Sequence, residues 1–238
     1  MRNYTTFTKV LPTMPASIQK AAYGDAEILF DWHEVKGFKG ASVNGIQVIV
    51  RGTDGADQTM VGIDLLFATS QIREEERGIS VDQIPPTLGT TGAAVDTFQW
   101  KNNLVGYVPI ASGDFIDGDL VVLNIATKSG LNIPVGGDLY VAAIAKGTLD
   151  LTSTVQVSTE TATNTTAVVV KTTSALINFA PGDTLHDEDD LVIGTVKSVT
   201  DATNLVLTKN CESVSAVNKD LYNISPITLI LSCESWGG

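Results

Sequence analysis

A chain of 238 residues is long enough to bury a substantial core without covalent staples, as one large β domain or two smaller ones. Its 27 acidic and 15 basic residues leave a net charge of −12, and no basic run occurs, which argues against nucleic acid as a partner. The opening Met1-Arg2-Asn3-Tyr4-Thr5-Thr6 lacks the apolar core of a signal peptide, and no apolar run approaches a membrane span. The expectation is a protein that is not exported by its own signal and has no membrane partner.

In chain order, Thr5 to Leu11 reads as a strand or as an arm lying on a neighbour, because Pro12 and Pro15 keep the next residues extended. Ala16 to Ala22 follows Pro15 and predicts one or two helical turns ended by Gly24. Ala26 to Trp32 is a strand with a dense apolar centre, and it leads through His33 and Glu34 to the turn Gly37 to Gly40. Ile46 to Val50 and Met60 to Ala68 predict a hairpin with a polar tip from Gly52 to Thr59. The charge block Ile72 to Gly78 reads as a short solvated helical turn or an exposed loop, and Asp82 to Gly92, with Pro85-Pro86, as a long loop. Further strands are expected at Val95 to Trp100, Leu104 to Ile110 and Leu120 to Ala126. The apolar run Asp138 to Leu149, behind Gly136-Gly137, predicts a buried strand.

About eight short strands therefore precede Leu149, without sustained helical periodicity. Parallel strands need crossover helices that this chain does not supply, so the pattern favours an antiparallel sandwich or jelly roll. From Leu151 to Val217 the texture changes to Ser/Thr-rich, with strands suggested at Ala167 to Lys171, Thr184 to His186, Leu191 to Val199 and Asn204 to Thr208. The run Ile227 to Leu231 then resumes the apolar texture, after an Asp220-Leu221-Tyr222 that echoes Asp138-Leu139-Tyr140. The predicted fold is all-β: an antiparallel β-sandwich or jelly-roll-like domain from residues 1–150 plus 218–238, carrying an inserted small β-barrel at 151–217.

The sub-pattern Gly182-Asp183-Thr184-Leu185, Ile193-Gly194-Thr195-Val196 and Asn204-Leu205-Val206-Leu207 resembles small β-barrel modules of tailed-bacteriophage virion proteins. It covers about a quarter of the chain. The remainder is similar in general texture to phage capsid decoration and tail structural proteins. The resemblance implies a role in particle assembly and transfers no functional residue.

Motifs with chemistry are sparse. There is no phosphate-binding Gly-x-x-x-x-Gly-Lys-Ser/Thr loop and no Gly-x-Ser-x-Gly elbow, and Cys211 and Cys233 are too far apart in sequence for a zinc pair. One disulfide between them is conceivable, but two buried thiols are the simpler reading. His33, between Trp32 and Glu34, is either a corner of a sugar site or a structural histidine at a strand end. His186-Asp187-Glu188-Asp189-Asp190 offers cation-binding side chains, although consecutive residues at a hairpin tip point in different directions and a solvated turn accounts for them more simply. Turn chemistry is the default for Asp54, Asp57, Asp114, Asp117 and Asp119. A carbohydrate platform would need Trp32, Trp100, Tyr107 or Trp236 to converge; core packing explains each ring more cheaply, except that Trp236 would anchor the terminus on this subunit or a neighbour.

No residue is assigned a catalytic, cofactor-binding or metal-binding role, and no cofactor is expected. The expectation is a non-enzymatic capsid decoration (cement) protein, located in a virion assembled in the host cytoplasm, that binds the major capsid protein or other virion subunits. A homo-oligomer is expected, with a trimer as the guess and the N-terminal arm and Trp236 as contacts. A tail or fibre-attachment component is the closest alternative, followed by a carbohydrate-binding adhesion module.

Overall fold

The computed structural model describes residues 3–36, 42–51, 60–69, 104–116, 123–134, 138–153, 155–171 and 179–236. The expected hairpin tip at 52–59, the charge block 72–78, the loop 82–92 and the strand 95–100 lie outside the described residues, as do Asp54, Asp57, Trp100, Asp117 and Asp119.

The fold is all-β and antiparallel, as the strand-rich, helix-poor pattern required. Among the described residues nine strands build a sandwich: β1 (Asn3–Val10), β2 (Ile28–Glu34), β3 (Ser42–Arg51), β4 (Gly62–Thr69), β5 (Leu104–Ile110), β6 (Phe115–Ile116), β7 (Leu123–Pro134), β8 (Leu139–Lys146) and, in the first sheet, a last strand at Ile227–Trp236. One sheet has five strands, in the order β1, Ile227–Trp236, β3, β7, β6; the other has four, in the order β2, β8, β4, β5. Their facing side chains form one core, with Val48, Val50, Leu229 and Leu231 from the first sheet meeting Leu65, Phe67, Val141 and Ala143 from the second. The period-2 alternation of β3, whose Ile46, Val48 and Val50 are buried while Gln47, Ile49 and Arg51 are half-buried, shows how one face of that sheet was selected for the core.

The apolar run beginning at Asp138 becomes β8, a central strand paired with β2 on one side and β4 on the other. Residues buried on both faces explain its continuous hydrophobicity, including Leu139, Val141, Ala142 and Ala143. The predicted hairpin of Ile46 to Val50 with Met60 to Ala68 does not form: β3 pairs with β7, while β4 pairs with β5 and β8 in the opposite sheet. Two apolar strands flanking a turn fit a hairpin or a crossover between sheets equally well by pattern; the cross-strand partners decide. The predicted helix is a single turn, α1 (Ala16–Gln19), with Pro15 in extended conformation at its N-cap.

Five shorter strands precede the last one: β9 (Val157–Thr159), β10 (Ala167–Val170), β11 (Thr184–Asp187), β12 (Val192–Val199) and β13 (Asn204–Leu207), followed by β14 (Leu221–Asn223). These six form a sheet in the order β14, β11, β12, β13, β10, β9. Its two ends meet: Gln156 bridges Asp220, the Val157 N–H donates to the Lys219 carbonyl at 2.9 Å, and the Leu221 N–H donates to the Val155 carbonyl at 2.8 Å. The sheet thus curls into a small barrel around its own core of Val155, Val157, Val168, Val170, Phe179, Leu185, Ile193, Val196, Leu205, Leu207, Cys211 and Leu221. Residues 221–223, grouped on sequence with the main domain, supply a strand to this barrel; the Asp-Leu-Tyr echo of residues 138–140 has no counterpart in pairing. The chain then returns to the sandwich as β15 (Ile227–Trp236), between β1 and β3.

Candidate functional site

Residues opposite one another across antiparallel strands share a face. On the five-stranded sheet, the face turned away from the core therefore carries Ile116, Ile125, Ile49 and Thr228 as one transverse row, with Thr127, Gln47, Ile230 and Lys9 as the next. Ser129, Gly45, Ser232 and Phe7 form a third. Ile116 is 66% exposed and Phe7 75%. Thr127, Gln47, Lys9, Ser129 and Ser232 border these apolar side chains, leaving an isoleucine strip in a mainly polar face.

The barrel overhangs one end of this face. Between them lies a cleft of about 330 Å³, floored by Ile49, Thr228 and Ile230, with Pro181 to Thr184 opposite and Lys9 and Leu11 along its side. Arg51, the last residue of β3, pairs there with Asp183. The Asp183 carboxylate also accepts the Ala180 N–H at 2.7 Å. Burial raises the Asp183 pKa, and the Arg51 charge and the Ala180 N–H work against that rise.

Other bonds fix the barrel to the sandwich. The Met14 N–H donates to the Ile224 carbonyl at 2.8 Å, and the Arg51 N–H to the Pro226 carbonyl at 2.9 Å. Gln19, fully buried in α1, donates from Nε2 to the carbonyls of Met14 at 2.7 Å and Asn223 at 3.1 Å. The Ala16 N–H donates to the Asp190 carboxylate. The residues between β1 and β2 thus bolt the barrel in one orientation, which sets the shape of the cleft.

The acidic cluster at 186–190 is a built turn whose carboxylates are individually engaged. Asp187, buried, accepts N–H groups of Asp189 at 3.0 Å and Leu191 at 3.1 Å and the Ser215 hydroxyl at 2.9 Å. Lys219 Nζ reaches Glu188 at 2.7 Å and Asp189 at 2.9 Å. Asp190, with φ of 63°, holds Ala16 and lies 3.2 Å from His186 Nδ1. His186 is buried edge-on against Tyr222, and burial lowers its pKa although Asp190, the Asn223 carbonyl and Asp187 favour the charged ring. Among the described residues no group of three or more His, Cys, Asp or Glu is placed to hold a metal ion.

The remaining sequence candidates are dispersed. His33 is half-buried on β2 opposite Val141, its pKa lowered by burial and Lys36. Trp32 packs on Ile28, Leu66 and Ala142 at the other face of the four-stranded sheet. Tyr107 is 53% exposed on β5. Asp114 caps the corner from β5 to β6: its carboxylate accepts the Ala111 N–H at 2.7 Å and pairs with Lys128, which together hold its pKa low. The Trp236 backbone pairs with Asn3 of the same chain, and its ring lies outside the described side chains. Cys211 and Cys233 are free buried thiols in the barrel and sandwich cores respectively.

Sequence reasoning missed the exposed sheet face, the cleft and the Arg51–Asp183 pair. The alternation of Ile49 and Arg51 was visible in the chain, but which strands lie beside β3 was not. No protein-family model matches this chain, and no curated protein is similar to it in sequence.

Proposed function

We propose that this chain is a structural, non-enzymatic virion subunit, a capsid decoration protein that binds the outside of a phage shell through the outward face of its five-stranded sheet. The observation that carries the reading is the transverse row of Ile116, Ile125 and Ile49, bordered by polar residues and running into the cleft under the barrel. An isoleucine strip bordered by Thr and Ser suits burial against another protein, where apolar contact supplies affinity and a polar rim supplies register. The rigid clamping of the barrel supports the same reading, since a cement protein bridges subunits and must hold its shape under load.

The test is cosedimentation of the purified protein with empty shells of the phage's major capsid protein. Binding that is lost on Ile116→Glu and retained on Tyr107→Ala supports decoration through this face. Protein that stays in the supernatant, or binding indifferent to Ile116→Glu, overturns it. Retention on polysaccharide resins with no shell binding would move the assignment to a carbohydrate-binding module.

A further inference from the structure

The cleft under the barrel has the opposite charge balance to the chain that carries it. The whole sequence has 27 acidic residues against 15 basic ones, whereas the charged residues lining the cleft are Lys9, Arg51 and Asp183, two cations and one carboxylate. That carboxylate is fully engaged: Asp183 accepts from Arg51 Nη1, from the Ala180 N–H at 2.7 Å and from the Asn223 side chain. The cations are not. Among the described residues the Arg51 guanidinium bonds Asp183 alone, through Nη1, which leaves several of its N–H donors for an occupant, and the Lys9 ammonium is exposed. Asp183 also fixes the guanidinium at the barrel side of the cleft, so an incoming acceptor finds it already oriented and loses little side-chain freedom in binding it. Charged donors thus exceed carboxylate acceptors in a partly enclosed space, and the occupant that balances them is an anion.

The floor supplies the other half of the chemistry. Ile49 and Ile230 are apolar, and Ile49 continues out of the cleft through Ile125 to Ile116. From Thr228 in the cleft to Ile116 the row steps from β15 across β3 and β7 to β6, which at ~4.8 Å per strand is about 14 Å. An extended peptide covers that length in about four or five residues, at ~3.3 Å each. We infer that the cleft captures an acidic residue at one end of an extended segment of another protein, with the adjoining apolar side chains of that segment laid along the isoleucine row. The carboxylate faces the Arg51 guanidinium on β3, and Lys9 on β1 adds positive field from the other side of β15. A free inorganic anion would use the cations and leave the isoleucine row uncovered, whereas an acidic segment with apolar neighbours satisfies both. The inference rests on the reading of this sheet face as a binding face and adds the chemistry of what it binds, a carboxylate followed by apolar residues in extended conformation.

The experiment is selection of a random heptapeptide library on the full chain, followed by fluorescence anisotropy of the enriched peptides with the native chain and with Lys9→Glu and Ile116→Ser variants. Lys9 and Ile116 are both exposed, so these variants should keep the native melting temperature. Enriched peptides are expected to share an acidic residue next to apolar ones. Lys9→Glu should weaken their binding at least roughly tenfold, and Ile116→Ser by a smaller factor. Replacing the peptide's acidic residue by Gln should weaken binding to the native chain as well. No enrichment, enrichment of peptides without an acidic residue, affinities indifferent to Lys9→Glu, or displacement of the peptide by an equal concentration of inorganic sulfate overturns the inference. Cosedimentation with shells is a separate readout. Shells bound equally by the native chain and by Lys9→Glu would sink the acidic segment and leave decoration standing, whereas acidic peptides bound by a chain that ignores shells would do the reverse.

Discussion

Arg51 closes β3 on the sandwich and reaches Asp183 in the turn that opens β11 on the barrel, so one ion pair ties the two cores together beside the cleft. The side chains retain 21% and 15% exposure, enough burial for an unpaired partner to be costly.

Removing Arg51 leaves a carboxylate that burial already disfavours, whereas removing the carboxylate leaves a cation with access to water. Arg51→Ala is therefore expected to lower stability by about 2 kcal/mol and Asp183→Asn by about 1 kcal/mol. Urea unfolding of the two variants measures the difference, and equal costs would remove the asymmetry between the carboxylate and the guanidinium.

His186 makes stability depend on pH. Its folded pKa lies below the unfolded value of 6.5, so the unfolded chain binds the extra proton first as pH falls. The contribution of the neutral, buried ring is present above pH 6.5 and is lost as pH falls through the folded pKa. Melting temperatures measured from pH 7.5 downward should decline, and His186→Phe should decline less steeply over the same range. Parallel curves for the two proteins would remove His186 from the account.

Asp187 serves as the hub of the turn joining β11 to β12, accepting two backbone N–H groups and the Ser215 hydroxyl. Asp187→Ala removes the acceptor of all three, of which only the Ser215 hydroxyl is fully buried, and is expected to cost about 2 kcal/mol, by thermal or chemical denaturation. Asp187→Asn keeps an acceptor and should cost roughly half as much.

Gly194 sits in β12 with φ of 142°, and a Cβ there would stand 3.0 Å from Leu207 Cδ1 inside the barrel core. Gly194→Ala should destabilise by about 2 kcal/mol, since it combines an unfavourable backbone conformation with crowding. Calorimetry of the variant tests this, and an unchanged melting temperature would mean that Leu207 moves aside freely.

Both cysteines should titrate as free thiols in denaturant without reductant and react slowly with thiol reagents in the native state. Burial raises the thiol pKa of each, that of Cys233 to about 11, which depletes the reactive thiolate. Rapid native labelling would show that one of the cores opens.

The sequence by itself determined the all-β antiparallel class, the short helical turn after Pro15, the central buried strand before Leu149 and the compact meander around residues 181–208. These depend on local periodicity, turn residues and run length, which are written along the chain. It also marked Asp114 as a turn residue, because an Asp that accepts a nearby N–H needs only its immediate neighbours. Tertiary structure alone decided that β3 and β4 lie in opposite sheets, that residues 221–223 close the barrel, and that Arg51 meets Asp183 across 132 positions. It alone set Ile116, Ile125 and Ile49 side by side. The reason is physical: alternation tells which face of a strand is apolar, but strand partners are chosen by the packing of distant segments against a shared core, and no local signal records that choice.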